Sequence, residues 1–518
     1  MAAGTGHAAR VAAGIFATRV LGYVRERVFA HYFGNGPAAD AFRAALRIPN
    51  VVRNLLGEGT LSASFIPVYA RLEGRGERET ARAVAGAVLG LLLAASGVLA
   101  AIGIALAPAI TTVVAAGFDE PTRRLTITLV RILFPMTGLM VVSGWCLGVL
   151  TTHQRFFLPY AAPALWNVAG IVALVAAGTW LVTPDLPVDE RFHRLALALA
   201  WGTVAGALLQ VAVQLPSCWR LLGGRVPLRP TLAGPGTRDV LHAWTPVVLG
   251  AGVAQIAGLI DTQLGSFAGP GGVASLGYAQ LVQTLPISLF GVSVAAVSLP
   301  ALSVDASAAG GAEALRTRLA GGFRRIAFFV VPSAFAFVAL GPVIVAMLFQ
   351  TGRFGSADSA LVGAVLAAYG IGLLGPAAAK LFASGFYALQ DTRTPVRISV
   401  VSLVTSAACA VALIGPLGAV GIALGSSVGG MLNFVLQVTL LDRRLGRILG
   451  PPDWRHLGSA VAAALVAAAA GAGTSLATAT WSVVGRGAAA VAAFGAAYFL
   501  VALAVGHPDA RRLWTLRR

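Results

Sequence analysis

Apolar residues run through this chain in long blocks, separated by short clusters of Arg, Asp, Pro and Gly, from the first residues to the last. Many blocks exceed the roughly 20 residues that a helix needs to cross the hydrocarbon core of a bilayer. Reading each block to its flanking charge, Pro or Gly predicts helical spans over 8–33, 37–70, 80–111, 122–151, 158–183, 193–220, 238–268, 272–303, 313–347, 358–390, 395–415, 418–441, 456–478 and 485–507. The connections are mostly short, so no sizeable water-soluble domain fits between the spans. The predicted fold is therefore an all-α polytopic membrane protein of about fourteen transmembrane helices.

The polar positions between spans carry the orientation. Arg71, Arg75, Arg78 and Arg82 follow the second span, and Arg220, Arg225 and Arg229 follow the sixth. Arg316 and Arg318 follow the eighth, Arg393 and Arg397 the tenth, Arg443 and Arg444 the twelfth, and Arg511 and Arg512 the last. Basic residues gather on the cytoplasmic side, which puts the even-numbered connections and both termini there. Asp185, Asp189 and Glu190, after the fifth span, fall on the opposite side.

An internal echo adds an architecture. The segment from Phe42 to Pro49 and on to Pro67 is matched by Tyr278 to Pro286 and on to Pro300. Two six-helix lobes related by a parallel repeat would hold a substrate site between them near the midplane. The expected division is an N-lobe over 1–230, a C-lobe over 231–445, and 446–518 with two C-terminal helices and a cytoplasmic tail.

Composition narrows the class. The chain is 57% hydrophobic and 11% charged, where a soluble domain carries about 25% charged residues. The formal charge of +18 lies mostly in Arg at segment ends, which reads as topology and not as a nucleic-acid face. No cleavable signal peptide is expected, because the first segment has internal Arg and no small-residue cleavage site. Cys146, Cys218 and Cys409 show neither a disulfide framework nor metal-ligand spacing.

The charges inside the spans point to function. Arg19 and Arg25 lie in the first span and Arg53 in the second, where a charge facing lipid costs about 2.5–3.5 kcal/mol even on lenient scales. Each is expected to line a water-filled cavity or to neutralise a bound anion. Glu26, Arg27, Asp40, Arg43, Arg47, Asn50, Asn54 and Glu58 surround them. Arg43 and Arg47 are one turn apart and share a face, after which Pro49 is expected to break the helix. A guanidinium suits phosphate, since its planar fork donates two parallel hydrogen bonds and stays charged. The competing reading has Arg27 and Arg47 snorkelling, and Asp40 and Glu58 pairing structurally with nearby Arg. Asp261, beside Thr262 and Gln263 in the seventh span, is either a carboxylate coupled to a proton or sodium ion or a solvated group near the outer interface. Lys380, the single lysine, either faces the cavity or snorkels. Metalloprotease, phosphate-loop and nucleophile-elbow motifs are absent and the seven His are scattered, which disfavours a membrane enzyme acting on prenyl-linked sugars. The stretch Asp391 to Pro395 reads as a turn between spans.

Several stretches resemble one family. Arg19 to Glu26, Asp40-Ala41-Phe42, Ile48-Pro49-Asn50, Glu58-Gly59, Phe65 to Val68, Leu348-Phe349-Gln350, Gly352-Arg353-Phe354, and Phe386-Tyr387-Ala388 leading to Gln390 to Pro395 are similar to the MurJ (MviN) lipid II flippases. The likeness spans nearly the whole chain. It implies the multidrug/oligosaccharidyl-lipid/polysaccharide exporter superfamily, with a central cationic cavity between two lobes and two last helices forming a groove for a prenyl tail. It implies a transporter, not an enzyme, that moves the undecaprenyl-diphosphate-linked disaccharide pentapeptide from the inner to the outer leaflet of the bacterial cytoplasmic membrane by alternating access. The same resemblance leaves room for another polyprenyl-diphosphate glycan or for drug export. No cofactor is implied beyond coupling to membrane potential, sodium or protons, and the expected surroundings are membrane lipids around a monomer.

Position by position, Arg19, Arg25 and Arg53 match the family's cavity arginines, Asp40 and Glu58 its acidic positions, and Arg47 a basic one. The family's eighth span usually carries an Arg two residues after a Tyr-Ala pair, whereas Tyr278-Ala279 is followed here by Gln280 and Leu281. Arg43 stands at a normally apolar position and is expected to compensate, with Gln280 and Gln283 as neutral donors. Asp261 matches the seventh-span carboxylate of sodium-binding members, but its partner positions hold Ser406 and Ala410 instead of Asn and Asp.

Overall fold

The computed structural model describes residues 2–183, 185–228, 235–307 and 311–515. Among these, regular structure is helical apart from an isolated antiparallel bridge between Thr351 and Phe354. Within hydrocarbon, a helix satisfies each backbone N–H and C=O inside its own segment.

The chain forms two compact units, Met1–Ser266 and Phe267–Arg518. The first holds α1 (Ala2–Phe33), α2 (Pro37–Leu56), α3 (Glu58–Gly74), α4 (Arg78–Ala105), α5 (Ala107–Val114), α6 (Glu120–Thr152), α7 (Phe157–Ala161), α8 (Pro163–Ala176), α9 (Val188–Leu221) and α10 (Pro235–Phe267). The second holds α11 (Gly272–Pro286), α12 (Ser293–Ser307), α13 (Gly311–Phe349), α14 (Ser356–Ile371), α15 (Leu374–Ala388), α16 (Arg393–Leu417), α17 (Ala419–Leu445), α18 (Pro451–Ala477), α19 (Val483–Ala504) and α20 (Pro508–Thr515). Among the described residues ten helices are long and apolar enough to cross a membrane, and eleven when the pair α14–α15, bent by 40°, counts as one. The other three expected spans coincide with α1, α2–α3 and α10, which carry the internal charges. Fourteen spans are consistent with this set.

The expected second span, 37–70, departs from the sequence reading in one respect. Pro49 does not break it, because α2 continues through Pro49 to Leu56 and the break falls at Gly57. There the N–H of Gly57 donates to the Arg53 carbonyl at 2.7 Å, and a Cβ at Gly57 would overlap that same oxygen. The single hydrogen bond lost at a proline is absorbed by the ladder, whereas the close approach at residue 57 requires glycine. Proline acts differently in the second unit. A π-helical turn over Ile287–Val292 follows Pro286 and separates α11 from α12, as a shifted register accommodates the missing donor.

In the first unit the Trp145 indole N–H donates to the Ala85 carbonyl at 3.0 Å, tying α6 to α4 over a core that includes Phe65, Tyr69 and Val149. Cys146 and Cys218 are buried there as free thiols. In the second unit the rings of Phe323 and Phe434 stack with centroids 5.6 Å apart, and the Tyr498 hydroxyl donates to the Phe328 carbonyl at 2.6 Å, holding α19 on α13. The turn expected at Asp391 to Pro395 opens α16. The Asp391 carboxylate accepts from the Thr394 hydroxyl at 2.6 Å and the Thr394 N–H at 2.9 Å, with Arg444 at 2.7 Å. The Thr394 donors and then Arg444 hold its pKa down to about 2.

Candidate functional site

The charge-bearing helix pair α1–α2 builds the site. Arg25 Nη2 donates to Glu26 Oε1 at 2.7 Å, and Arg43 Nη2, from α2, donates to Glu26 Oε2 at 2.8 Å. One carboxylate thus bridges two guanidiniums across α1 and α2, and the triad keeps a net charge of +1. The guanidinium carbon of Arg25 lies 4.4 Å from the centre of the Trp166 ring on α8, and that of Arg43 lies 5.0 Å from the Phe29 ring. Aromatic faces hold both cations in place where little water competes. A void of about 30 Å³ lies among Arg25, Glu26, Arg43, Trp166 and Thr203.

A larger cavity of about 430 Å³ lies in the same unit, with Arg53, Asn54, Ser143, Asn167 and Gln210 on its walls and Trp166 shared with the smaller void. Arg53 stands in the last turn of α2, where a cation offsets the partial negative charge of the helix end. Its Nη2 approaches Asn54 Oδ1 at 3.4 Å, and Asn54 Nδ2 donates to Gln255 Oε1 on α10 at 3.0 Å. Gln210 and Gln214 on α9 both reach Ser143 Oγ on α6 at 2.8 Å.

The remaining sequence-predicted residues take varied places. Asp40 is buried in the first turn of α2, favourable for an anion at a helix N-terminus. The guanidinium of Arg47 lies against Gly258 of α10, where a Cβ would collide with it. Arg19 is exposed on α1. Glu58 opens α3, and its side chain lies outside the described residues. In the second unit Gln280 donates to the Tyr369 hydroxyl at 3.1 Å; Leu281, beside it on α11, is exposed, and so is Lys380 on α15. Asp261 is partly buried on α10, and the neighbouring Thr262 hydroxyl donates to the Gly258 carbonyl at 2.9 Å. Among the described residues no group of three or more His, Cys, Asp or Glu is gathered to hold a metal.

The first unit therefore brings Arg25 and Arg43 together through Glu26, and sets Arg53 on a separate cavity with Trp166 as the shared wall. The bridging role of Glu26 went unassigned in the sequence reading, although its place beside Arg25 was a signal. Trp166, Ser143 and Gln210 carried none, since a lone aromatic or amide in an apolar span is usually core. Chemically, the set offers fixed guanidinium donors to an anion, with a neutral hydrogen-bonding surface alongside.

Comparison with known proteins places the chain in a family. A family model described as lipid II flippase MurJ matches residues 29–488. The lipid II flippase MurJ of Burkholderia cenocepacia is 35% identical, over 87% of this chain and 86% of its own. The probable lipid II flippase MurJ of Rhizobium meliloti is 32% identical, over 84% of this chain and 79% of its own. Among solved structures, a lipid II flippase MurJ in an inward closed conformation superposes with a TM-score of 0.77 at 20% identity, covering 95% of this chain and 97% of that one. A multidrug-resistance MATE transporter in an inward-facing conformation follows at 0.64 and 20% identity, covering 82% and 94%, so the fold extends to that wider superfamily. With most of its length matched by the family model and by a relative at 35% identity, this chain belongs to the lipid II flippase MurJ family.

Proposed function

We propose that this chain moves lipid II, the undecaprenyl-diphosphate-linked disaccharide pentapeptide, from the inner to the outer leaflet of the bacterial cytoplasmic membrane by alternating access. It is a multi-pass membrane transporter and not an enzyme. The observation that carries the reading is the cationic set of α1 and α2: Arg25 and Arg43 held by one carboxylate, and Arg53 on an adjoining cavity, all within helices of a membrane protein. A diphosphate is the lipid headgroup group that needs such donors, and each charge-assisted bond contributes about 1.5–3 kcal/mol.

The lobes over 1–230 and 231–445, with 446–518 as a prenyl-tail element, fit this reading, as do cytoplasmic termini and a monomer. Asp261 is the carboxylate we assign to ion coupling. The partner positions at Ser406 and Ala410 add no second carboxylate, which favours a proton or the membrane potential over a sodium site of acidic ligands. The test is complementation in a bacterium depleted of its own flippase. The native chain should restore growth, and Arg25→Ala and Arg53→Ala should each abolish it at normal membrane abundance. Full activity in both variants would sink the assignment of these arginines, and failure of the native chain would sink the flippase reading.

A further inference from the structure

One face of α10 meets α2 at two points, and each point bears on an arginine. Gln255 and Gly258 stand three residues apart, on one side of the helix. Asn54 Nδ2 donates to Gln255 Oε1 at 3.0 Å. At Gly258 a guanidinium takes the place of the missing side chain, since a Cβ built there would lie 1.4 Å from Arg47 Nη2 and 2.3 Å from Arg47 Cζ. The order is antiparallel, 47 with 258 and 54 with 255. The two points are separated by about 10 Å along α2 and about 4.5 Å along α10, and the long Arg47 side chain takes up the difference.

The two points act on different cations. Arg53 Nη2 approaches Asn54 Oδ1 at 3.4 Å. The Asn54 amide is thus held at its nitrogen by Gln255 and turns its oxygen to Arg53, an orientation that the two contacts fix together. An Asn54 released from Gln255 could present its NH2 to the guanidinium instead, donor against donor. Arg53 lines the larger cavity, whereas Arg47 lines neither that cavity nor the smaller void. The Arg47 charge is committed to α10, and only glycine at 258 leaves room for it there.

We infer that Gln255 and Gly258 are positioning residues for the arginines of α2: Gln255 aims Arg53 through Asn54, and Gly258 seats Arg47 as a clamp between helices and not as a substrate contact. The inference rests on the flippase reading for its activity readout, and a second readout is independent of it. Flipping of the complete precursor is measured in proteoliposomes of the purified full chain against precursor concentration, so that KM and kcat separate. Gln255→Leu should raise KM about fivefold, the scale of one misdirected charge-assisted contact, with kcat little changed. Gln255→Glu keeps an acceptor for Asn54 Nδ2 and should stay near the native KM. In an Asn54→Leu background Gln255→Leu should add nothing, because the two side chains act as a unit. Gly258→Ala displaces the guanidinium while keeping its charge and favouring the helix, and should lower flipping as far as Arg47→Ala does. Additive losses in the Asn54–Gln255 cycle, or a fall in kcat and membrane abundance with KM unchanged, mark Gln255 as structural and overturn the inference. Full activity in Gly258→Ala, whether or not Arg47→Ala is impaired, removes the clamp and overturns it as well. Independently of flipping, Asn54→Cys and Gln255→Cys should be joined in membranes by a short bifunctional thiol reagent, in a background lacking the three native cysteines, and Gly258→Ala should lower the yield. Absence of that cross-link overturns the inference whatever flipping shows; a native chain that flips no precursor, with the cross-link formed, fails the flippase reading instead.

Discussion

At Glu26 one carboxylate serves two guanidiniums, Arg25 at 2.7 Å and Arg43 at 2.8 Å. Remove Arg43 and the remaining pair is neutral, so Arg25 no longer presents net positive charge to a diphosphate. Arg43 can therefore act in two ways, by balancing Glu26 or by gripping substrate with its own charge, and the two separate experimentally. Arg43→Phe should lower flipping at least about tenfold, on the order of one charge-assisted contact. If Arg43 acts by balancing Glu26, adding Glu26→Gln should restore activity. If its charge grips substrate directly, adding Leu281→Arg should restore it instead. A double-mutant cycle read by complementation and membrane abundance separates these outcomes, and full activity in Arg43→Phe would discard both.

Among the elements, α20 is docked by a histidine. His507 is 3% exposed, its ring 4.7 Å from Phe328 and 5.4 Å from His456. Its Nδ1 accepts from the Asp509 N–H at 3.3 Å, which requires that nitrogen to be unprotonated. Burial lowers its pKa and the nearby His456 adds to this, outweighing the opposite pull of Asp509. A histidine depressed in the folded state binds more protons when unfolded, so its stabilising contribution is whole above about pH 6.5 and declines as pH falls below that. The melting temperature in detergent should drop between about pH 7 and about pH 5, and the drop should shrink in His507→Leu; an identical profile in that variant would remove His507 as the source. Helix ends show where the sequence was legible. Long apolar blocks placed nearly every span, and Asp391 announced the turn it caps. The break in the second span was misread, since proline is a visible signal and the backbone approach that fixes Gly57 involves Arg53 only once the chain is folded.

For the whole molecule, the arginines gathered at the even connections predict that this side faces the cytoplasm. A cysteine placed near Asp189 should react with an impermeant thiol reagent from outside, and one near Arg225 should not, in a background lacking the three native cysteines. The reverse pattern would overturn the topology and the export direction together. The cationic character of the site was legible in Arg25 and Arg53 because membrane charge is rare enough to stand out. Its neutral half was not. Ser143, Gln210 and Trp166 come from three helices far apart in sequence, and only packing brings them to one cavity.

The chain break at Gly57 also has a genetic reading. Two glycines stand two positions apart at the head of α3, and sequence alone gives no reason to rank them. At Gly57 any Cβ overlaps the Arg53 carbonyl, whereas at Gly59 it meets open space within 4 Å. In a saturation library selected for growth, codon 57 should therefore return glycine alone. Codon 59 should return alanine and serine as well, unless the space there is reserved for substrate, and the alleles that survive at 59 would then outline the bulk of what passes.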